Sequence, residues 1–239
     1  MKRIIVVSIL LLLTFPVHSQ GGFLNDLIKQ LGSSSDSGQD EGTVISGLKE
    51  ALTIGTRNAV STVSSMDGYF GNLDIKIPMP EKLKKVEKLL RKIGYDDQVD
   101  EFILSMNRAA EHAAPQAVDI FVRAIGEMTF QDAMGILKGS DTAATEYFRE
   151  KTHDDIYGIF KPTVSTSMGK VGAVKSYNKM NRKYTSLPFV KEEPVDLEDY
   201  VTEKALYGLF FMIGEEEKKI RKDPAARVTE LLKKVFGSQ

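Results

Sequence analysis

The sequence contains no cysteine, and its 239 residues include only three histidines. Without cysteine the chain can form no disulfide and carries no lipid-modified N-terminal cysteine, so burial of apolar surface must supply its stability. Neither sign of charge dominates, because 32 basic residues stand against 33 acidic ones. A general nucleic-acid-binding protein needs a dominant basic surface, and we therefore expect no nucleic-acid partner.

Residues 1–19 have the pattern of a secretory signal peptide. A basic pair precedes an apolar run over residues 4–13, and Val17-His18-Ser19 resembles a small-residue cleavage site. We expect the mature chain to begin at Gln20 and to be exported to the bacterial periplasm or cell envelope. The alternative is a retained membrane anchor, for which the apolar run is too short.

Residues 20–42 are predicted to form a short amphipathic segment followed by a flexible linker. Apolar residues within 23–31 have helical spacing. Residues 32–42 are rich in Gly, Ser and Asp, a composition typical of flexible linkers. Two hypotheses stay open for the amphipathic segment. In the first it docks weakly on its own domain, and in the second it docks on a partner protein or a membrane.

Helical periodicity dominates residues 43–239, which we assign to one domain. The stretch 73–80 contains two prolines and is predicted to be extended. A capping-box pattern at Thr129 predicts a helix start, as do a similar pattern at Thr152 and the proline at Pro162. Asp196 is predicted to open a long helix, and Asp223-Pro224 a final one. Together these signals predict a single compact all-α domain of about eight to ten helices.

Residues 205–214 (ALYGLFFMIG) are apolar around the whole circumference of a helix. Such a helix either spans a membrane or lies in the centre of a core. Ten residues extend only about 15 Å, which is half the thickness of a bilayer core. The segment therefore predicts the central helix of the domain.

Several stretches spread over residues 43–237 have the sequence and order of one protein family. They include GLKEAL (47–52), KIPMPEKLKKVEKLLRKIG (76–94), SMNRAAEHAAP (105–115) and EEEKKIRKDPAARVTELLKKVFG (215–237). In these stretches the chain resembles the exported bacterial proteins that share the domain of unknown function numbered four-one-nine-seven. The resemblance implies an export signal and a helical fold, and it implies no known activity or catalytic residue.

Two patterns would support catalysis or metal binding, and both are weak. Ser-x-x-Lys, in which the lysine can take a proton from the serine, occurs at Ser46/Lys49, Ser167/Lys170 and Ser176/Lys179. Three unrelated matches without the companion motifs favour solvated helix faces. Glu150 and His153 have the spacing of a di-iron ligand pair, but no second Glu-x-x-His accompanies them. We therefore expect no catalytic residue, no cofactor and no metal.

One predicted helix is strongly basic. Only Glu81 and Glu87 oppose its cations, which are Lys82, Lys84, Lys85, Lys88, Arg91 and Lys92. Such a helix could meet anionic lipid headgroups or an acidic partner. A solvated outer face is the favoured interpretation, because no Trp or Phe is present there to insert.

The candidate ligand site lies on the predicted helix 97–114. This helix has apolar residues on two sides, which indicates a central position and partial burial of Arg108 or Glu111. A buried charge must be paired or bound to a ligand, because its desolvation is otherwise too costly. The hypotheses are an internal salt-bridge network and a small polar pocket for an anionic or carbohydrate-like ligand. The predicted site residues are Asn107, Arg108, Glu111, Tyr147, Arg149, Tyr200 and Lys204.

The favoured function is a non-catalytic binding or structural module of the bacterial cell envelope. One rival hypothesis is a hydrolase that uses a Ser-x-x-Lys pair. The other is an envelope adaptor that binds a partner protein or a membrane surface through the N-terminal arm and the basic helix. Membrane-surface contact is the less favoured of these partner hypotheses.

Overall fold

The computed structural model describes residues 37–170 and 195–222. The predicted signal peptide, the amphipathic segment 23–31 and the helix predicted after Asp223 lie outside these residues. Within them the chain forms seven α-helices and two short 3-10 segments, with no strand. The α-helices are α1 (Ser37–Ser64), α2 (Lys84–Lys92), α3 (Asp96–Ala113), α4 (Ala117–Glu127), α5 (Phe130–Lys138), α6 (Ala143–Lys170) and α7 (Leu197–Lys222), and the 3-10 segments are Glu81–Leu83 and Ala114–Gln116.

The all-α class is confirmed, whereas the predicted eight to ten helices are not matched. The main error concerns α6, which runs without interruption through Thr152 and Pro162. The Thr152 hydroxyl donates to the Phe148 carbonyl at 2.6 Å, as in a helix interior, and caps nothing. A proline inside a helix removes one backbone hydrogen bond. Fully buried side chains on both sides of it, Ile156, Phe160 and Val164, hold the helix together and outweigh this loss.

Helix α1 begins at Ser37, inside the segment that composition predicts to be a linker. From Val44 and Leu48 onward this helix is anchored by buried side chains. Extending an existing helix costs less free energy than nucleating one, so the polar residues before Val44 can continue the helix. The composition of residues 32–42 alone therefore does not predict that α1 begins within them.

Several local signals act as the sequence predicts. Thr129 and Asp132 form a complete capping box at the start of α5. Gly94, which follows α2, has a φ of +84°, a conformation that glycine adopts without steric cost. The Asp196 carboxylate accepts from the Asp199 backbone N–H at 2.9 Å at the start of α7. Of the stretch 73–80 that is predicted to be extended, residues 76–80 are neither helix nor strand, whereas residues 73–75 form a turn that backbone hydrogen bonds to the Asn72 carbonyl close.

Helix α7 packs against α1, α3 and α6, and it contains the apolar segment 205–214. Most of that segment is buried, although Tyr207 is half exposed. Aromatic rings join α4 to α6 and to α7. Phe121 of α4 makes edge-to-face contacts with Phe148 of α6 at 5.4 Å and with Phe210 of α7 at 6.0 Å between ring centroids. These contacts place the core between α4, α6 and α7.

Candidate functional site

The connection between α1 and α2 passes between α3 and α7, and polar side chains of both helices hold it. We name residues 67–80 the crossing segment. Asn107 of α3 is fully buried and accepts from the Ile77 N–H at 2.9 Å. Its amide group donates to the Ile77 carbonyl at 2.9 Å and to the Ile103 carbonyl at 2.8 Å. Asn107 thus satisfies both backbone groups of Ile77, which lies in neither a helix nor a strand.

Glu111 of α3 is only 3% exposed and binds the start of the crossing segment. Its Oε1 accepts from the backbone N–H groups of Tyr69 and Phe70, at 3.1 and 3.3 Å. Its Oε2 accepts from Arg108 Nη1 at 2.7 Å, and Arg108 Nη2 donates to Asp67 at 2.7 Å. These bonds, above all the one to Glu111, raise the pKa of Arg108. Asp67 has a φ of +64°, so this ion pair fixes a backbone conformation that favours glycine.

The crossing segment contacts α7 through Tyr69 and Pro78. The Tyr69 side chain is fully buried, and its hydroxyl donates to the Ala205 carbonyl at 2.6 Å. Burial and then the Glu111 charge raise the pKa of Tyr69, so its hydroxyl stays a donor. A Cβ at Gly208 would lie 2.5 Å from the Tyr69 ring, so glycine is what permits this close approach. The Tyr200 hydroxyl donates to the Pro78 carbonyl at 3.0 Å.

The structure therefore brings Asn107, Arg108, Glu111 and Tyr200 together around the crossing segment. Their polar groups bind the protein's own backbone and Asp67. This arrangement is the predicted internal network, and its groups are already satisfied without a ligand.

Of the other predicted site residues, Lys204 lies beside Tyr200, whereas Arg149 and Tyr147 lie elsewhere. Arg149 stacks over the Phe210 ring with 5.3 Å between its guanidinium carbon and the ring centroid. Lys204 lies over the rings of Tyr200 and Tyr207, at 6.0 and 5.9 Å. Tyr147 lines a cleft on another side of the domain. The predicted residues therefore do not form one pocket.

A second buried carboxylate, Glu217 of α7, escaped the sequence prediction. It accepts from the backbone N–H groups of Ala144 and Thr145, both at 2.9 Å, and from the Thr145 hydroxyl at 2.9 Å. Arg221 Nη2 donates to the same carboxylate at 2.8 Å and to the Ile136 carbonyl at 2.8 Å. Glu217 thus caps the first turn of α6 from another helix, where a negative charge is favourable. The sequence contains one indication that Glu217 is buried, because its position in the helix shares a face with the apolar residues Ile213 and Ile220.

A cleft of about 320 Å³ lies between α4, α5 and α6. Its volume is near the lower end of the range typical of small-molecule sites, about 300–1,000 Å³. The side chains that line it carry charges of both signs and hydroxyl groups. They are Ile120, Arg123, Ala124, Glu127, Thr129, Asp132, Tyr147, Lys151, Thr152 and Asp155.

Polar groups of this cleft are only partly satisfied by the protein. In the described part of the chain, the Tyr147 hydroxyl makes one long hydrogen bond, 3.4 Å to the Ala124 carbonyl. Burial, then the charges of Asp132 and Glu127, raise its pKa, so the phenol stays protonated and can donate. Within residues 37–170 and 195–222, Lys151 forms one ion pair, with its neighbour Glu150 at 3.5 Å. Glu127 is exposed and forms no ion pair in the described part of the chain.

Two further pairs of polar residues line the cleft, and in each pair the two side chains bind each other. The Thr129 hydroxyl and backbone N–H bind Asp132 at 2.7 and 2.9 Å and lower the pKa of its carboxyl, which stays ionised. Arg123 pairs with Asp155 across the mouth of the cleft, where both side chains are exposed. An exposed pair contributes little to stability and can exchange its partner for a ligand.

Of the three Ser-x-x-Lys pairs, the structure describes both side chains of Ser46/Lys49 alone, and these two do not bind each other. The Ser46 hydroxyl donates to the Gly42 carbonyl at 2.8 Å, whereas Lys49 donates to the Gly126 carbonyl at 3.0 Å. The side chain of Lys170 and the pair Ser176/Lys179 lie outside the described residues. Across residues 37–170 and 195–222, no group of three His, Asp or Glu side chains is placed to hold a metal ion.

Comparison with known proteins identifies the chain at the level of a family. The family model described as "Protein of unknown function (DUF4197)" matches residues 38–237. No curated protein and no solved structure matches the chain. None of the helices in the described ranges is long and apolar enough to cross a membrane.

Proposed function

Because the chain belongs to the DUF4197 family of proteins of unknown function, we propose a function from the geometry of its cleft. The domain is a non-catalytic binding module that holds a small, hydroxyl-rich, carbohydrate-like ligand between α4, α5 and α6. The observation that carries this proposal is the contrast between two groups of polar residues. The polar groups around Glu111 bind one another and the protein backbone. Tyr147, Lys151 and Glu127 of the cleft still have donor or acceptor groups that can bind a ligand.

The charges of the cleft favour a neutral ligand over an anion. Three carboxylates, Glu127, Asp132 and Asp155, face two cations, Arg123 and Lys151. A phosphate or sulfate in this cleft would be repelled by more charges than attract it. A sugar, by contrast, has hydroxyl groups that donate to carboxylates and accept from Arg, Lys and Tyr. Of the two ligand classes that the sequence leaves open, the carbohydrate-like one fits the cleft better.

Calorimetric titration of the purified full chain tests this proposal. The probes are two neutral disaccharides, N,N′-diacetylchitobiose and maltose, with inorganic phosphate as the anionic contrast. We expect at least one disaccharide to bind and phosphate not to bind. Tyr147→Phe removes one hydrogen bond, worth about 0.5–1.5 kcal/mol, and should weaken disaccharide binding about two- to tenfold.

The matched control is Arg91→Ala. Arg91 of α2 pairs with exposed Asp100 at 2.7 Å, as Arg123 pairs with Asp155, but it does not line the cleft. Arg123→Ala should weaken disaccharide binding, and Arg91→Ala should leave it unchanged. Binding of phosphate alone, or equal effects of the two arginine changes, would refute the carbohydrate site.

We also propose that the domain works in the bacterial envelope after export. The support is the signal-peptide pattern of residues 1–19, with Gln20 as the first mature residue. The intact mass of protein recovered from the producing cells should correspond to a chain that starts at Gln20. A mass that includes residues 1–19 would show that the leader is retained.

A further inference from the structure

The two most exposed large apolar side chains among the described residues lie close together in sequence. Met66 is 83% exposed and Leu73 is 88% exposed, and both flank the turn that Glu111 holds. Single apolar residues scattered over a surface are common, whereas clustered ones indicate a contact site. The backbone between them is held by Glu111 and Arg108, so these side chains extend from a rigid support.

Helix α7 continues this apolar surface. Asn72 lies against Met212, with its amide 3.5 Å from the sulfur, so Leu73 follows a residue that contacts α7. Phe211, the residue before Met212, stacks with Tyr207 at 6.3 Å between ring centroids, and Tyr207 is 52% exposed. We name Met66, Leu73, Tyr207 and Phe211 the apolar edge.

Two lysines lie along the same edge without carboxylate partners among residues 37–170 and 195–222. Lys76 Nζ lies 3.9 Å from the centroid of the Phe70 ring. Lys204 Nζ lies about 6 Å from the rings of Tyr200 and Tyr207. Asp67 is paired with Arg108 and Glu81 with Lys84, and Glu203 lies 3.9 Å from His153 of α6, so Asp74 is left to oppose the lysines. The apolar edge therefore carries cations that are held by aromatic rings and are available to an anionic surface.

We propose that the apolar edge is a membrane-contact surface that binds anionic lipid bilayers peripherally. Leu73 and Met66 insert among the acyl chains, and Tyr207 and Phe211 lie at the level of the headgroups, where aromatic rings are enriched. Lys76 and Lys204 meet lipid phosphates. Lys76 and Lys204 favour an anionic bilayer over a protein partner, because lysine is depleted in protein interfaces and is attracted to anionic lipid headgroups.

This surface is separate from both membrane-contact sites that the sequence suggests. Ile93, the residue after the basic helix α2, is exposed, and Arg91 of that helix is paired with Glu87 and Asp100. Ile93 is 47% exposed, far less than Leu73. Four lysines in and beside α2 also have no ion pair among the described residues, namely Lys82, Lys85, Lys88 and Lys92. The apolar edge differs from α2 because it joins its cations to two highly exposed apolar side chains and to stacked aromatic rings.

Vesicle co-sedimentation of the full chain, as recovered from producing cells, tests the proposal. The vesicles contain either phosphatidylcholine alone or phosphatidylcholine mixed with phosphatidylglycerol. We expect binding to the anionic vesicles, weakened by salt, and little binding to the neutral ones. A lysine near an anionic surface contributes about 1 kcal/mol, so Lys76→Gln should reduce partitioning about fivefold.

Leu73→Ser should reduce partitioning at least about tenfold, because a buried leucine side chain contributes about 1.5–3 kcal/mol. Ile93→Ser, at the end of α2, is the matched control and should change nothing. Leu73 is so exposed that its variant should keep the thermal melting curve of the parent protein. Two results would overturn the proposal. One is equal partitioning of the parent and Leu73→Ser proteins, and the other is a concentration-dependent dimer that Leu73→Ser abolishes.

Discussion

Replacing Glu111 by alanine should lower the free energy of unfolding by about 3–5 kcal/mol, as expected when one partner of a buried ion pair is removed. The change leaves the Tyr69 and Phe70 amides without an acceptor and leaves Arg108 with only Asp67. Typical domains are stable by about 5–15 kcal/mol, so the effect should be plain in urea unfolding. Glu101→Ala, an exposed change on the same helix, is the control and should cost under about 0.5 kcal/mol.

A double-mutant cycle separates the ion pair from the bonds to backbone. Arg108→Ala should cost about 1–3 kcal/mol, less than Glu111→Ala, because the carboxylate keeps two backbone donors. Removing both side chains should cost less than the sum of the single losses, with a coupling of about 0.5–3 kcal/mol. Absence of coupling, with each single change costing under about 0.5 kcal/mol, would show that the network does not hold the crossing segment.

Glu217→Ala should destabilise the fold by a similar amount, about 3–5 kcal/mol. The carboxylate is only 7% exposed, and its loss uncaps the first turn of α6 and removes a partner of Arg221. Glu217→Gln keeps an acceptor oxygen and should cost less. The matched control is Glu215→Ala on the same helix, whose exposed pair with Lys218 should contribute under about 1 kcal/mol.

Urea unfolding gives the loss of stability, and amide hydrogen exchange locates it. The amides of Ala144 and Thr145 should exchange faster in Glu217→Ala than in the parent protein, because they lose their acceptor. Equal stability of Glu217→Ala and Glu215→Ala would mean that the buried cap is not needed for α6 to form.

Local features of the fold were predictable where one short stretch determines them. The capping box at Thr129, the turn at Gly94 and the start of α7 at Asp196 each depend on a few neighbouring residues. The pairing of Arg108 with Glu111 was predictable for the same reason, because residues three apart on a helix are adjacent. The helix boundaries inside α6 were wrong, because packing of distant residues overrides the local preferences of Thr152 and Pro162.

The partners of the buried carboxylates and the cleft could not be predicted in this way. Glu217 follows two exposed or half-exposed acidic residues, and only the register of α7 distinguishes it from them. Its acceptor role depends on Ala144 and Thr145, which are far away in sequence. The cleft is built from three helices, and none of its polar residues forms a motif with another apart from the capping box. The Glu217 cap and the cleft can therefore be recognised only from the packed arrangement of the helices.

Hydrogen–deuterium exchange of the full chain, with and without a disaccharide at saturating concentration, tests the central claim most directly. The claim is that the polar residues around the crossing segment are structural, whereas the cleft between α4, α5 and α6 binds ligand. We predict slower exchange in residues 123–132 and 147–155 when N,N′-diacetylchitobiose or maltose is present, and unchanged exchange in residues 67–80. Slower exchange confined to residues 67–80 and 103–111 would contradict the claim, since the ligand would then bind around Arg108 and Glu111.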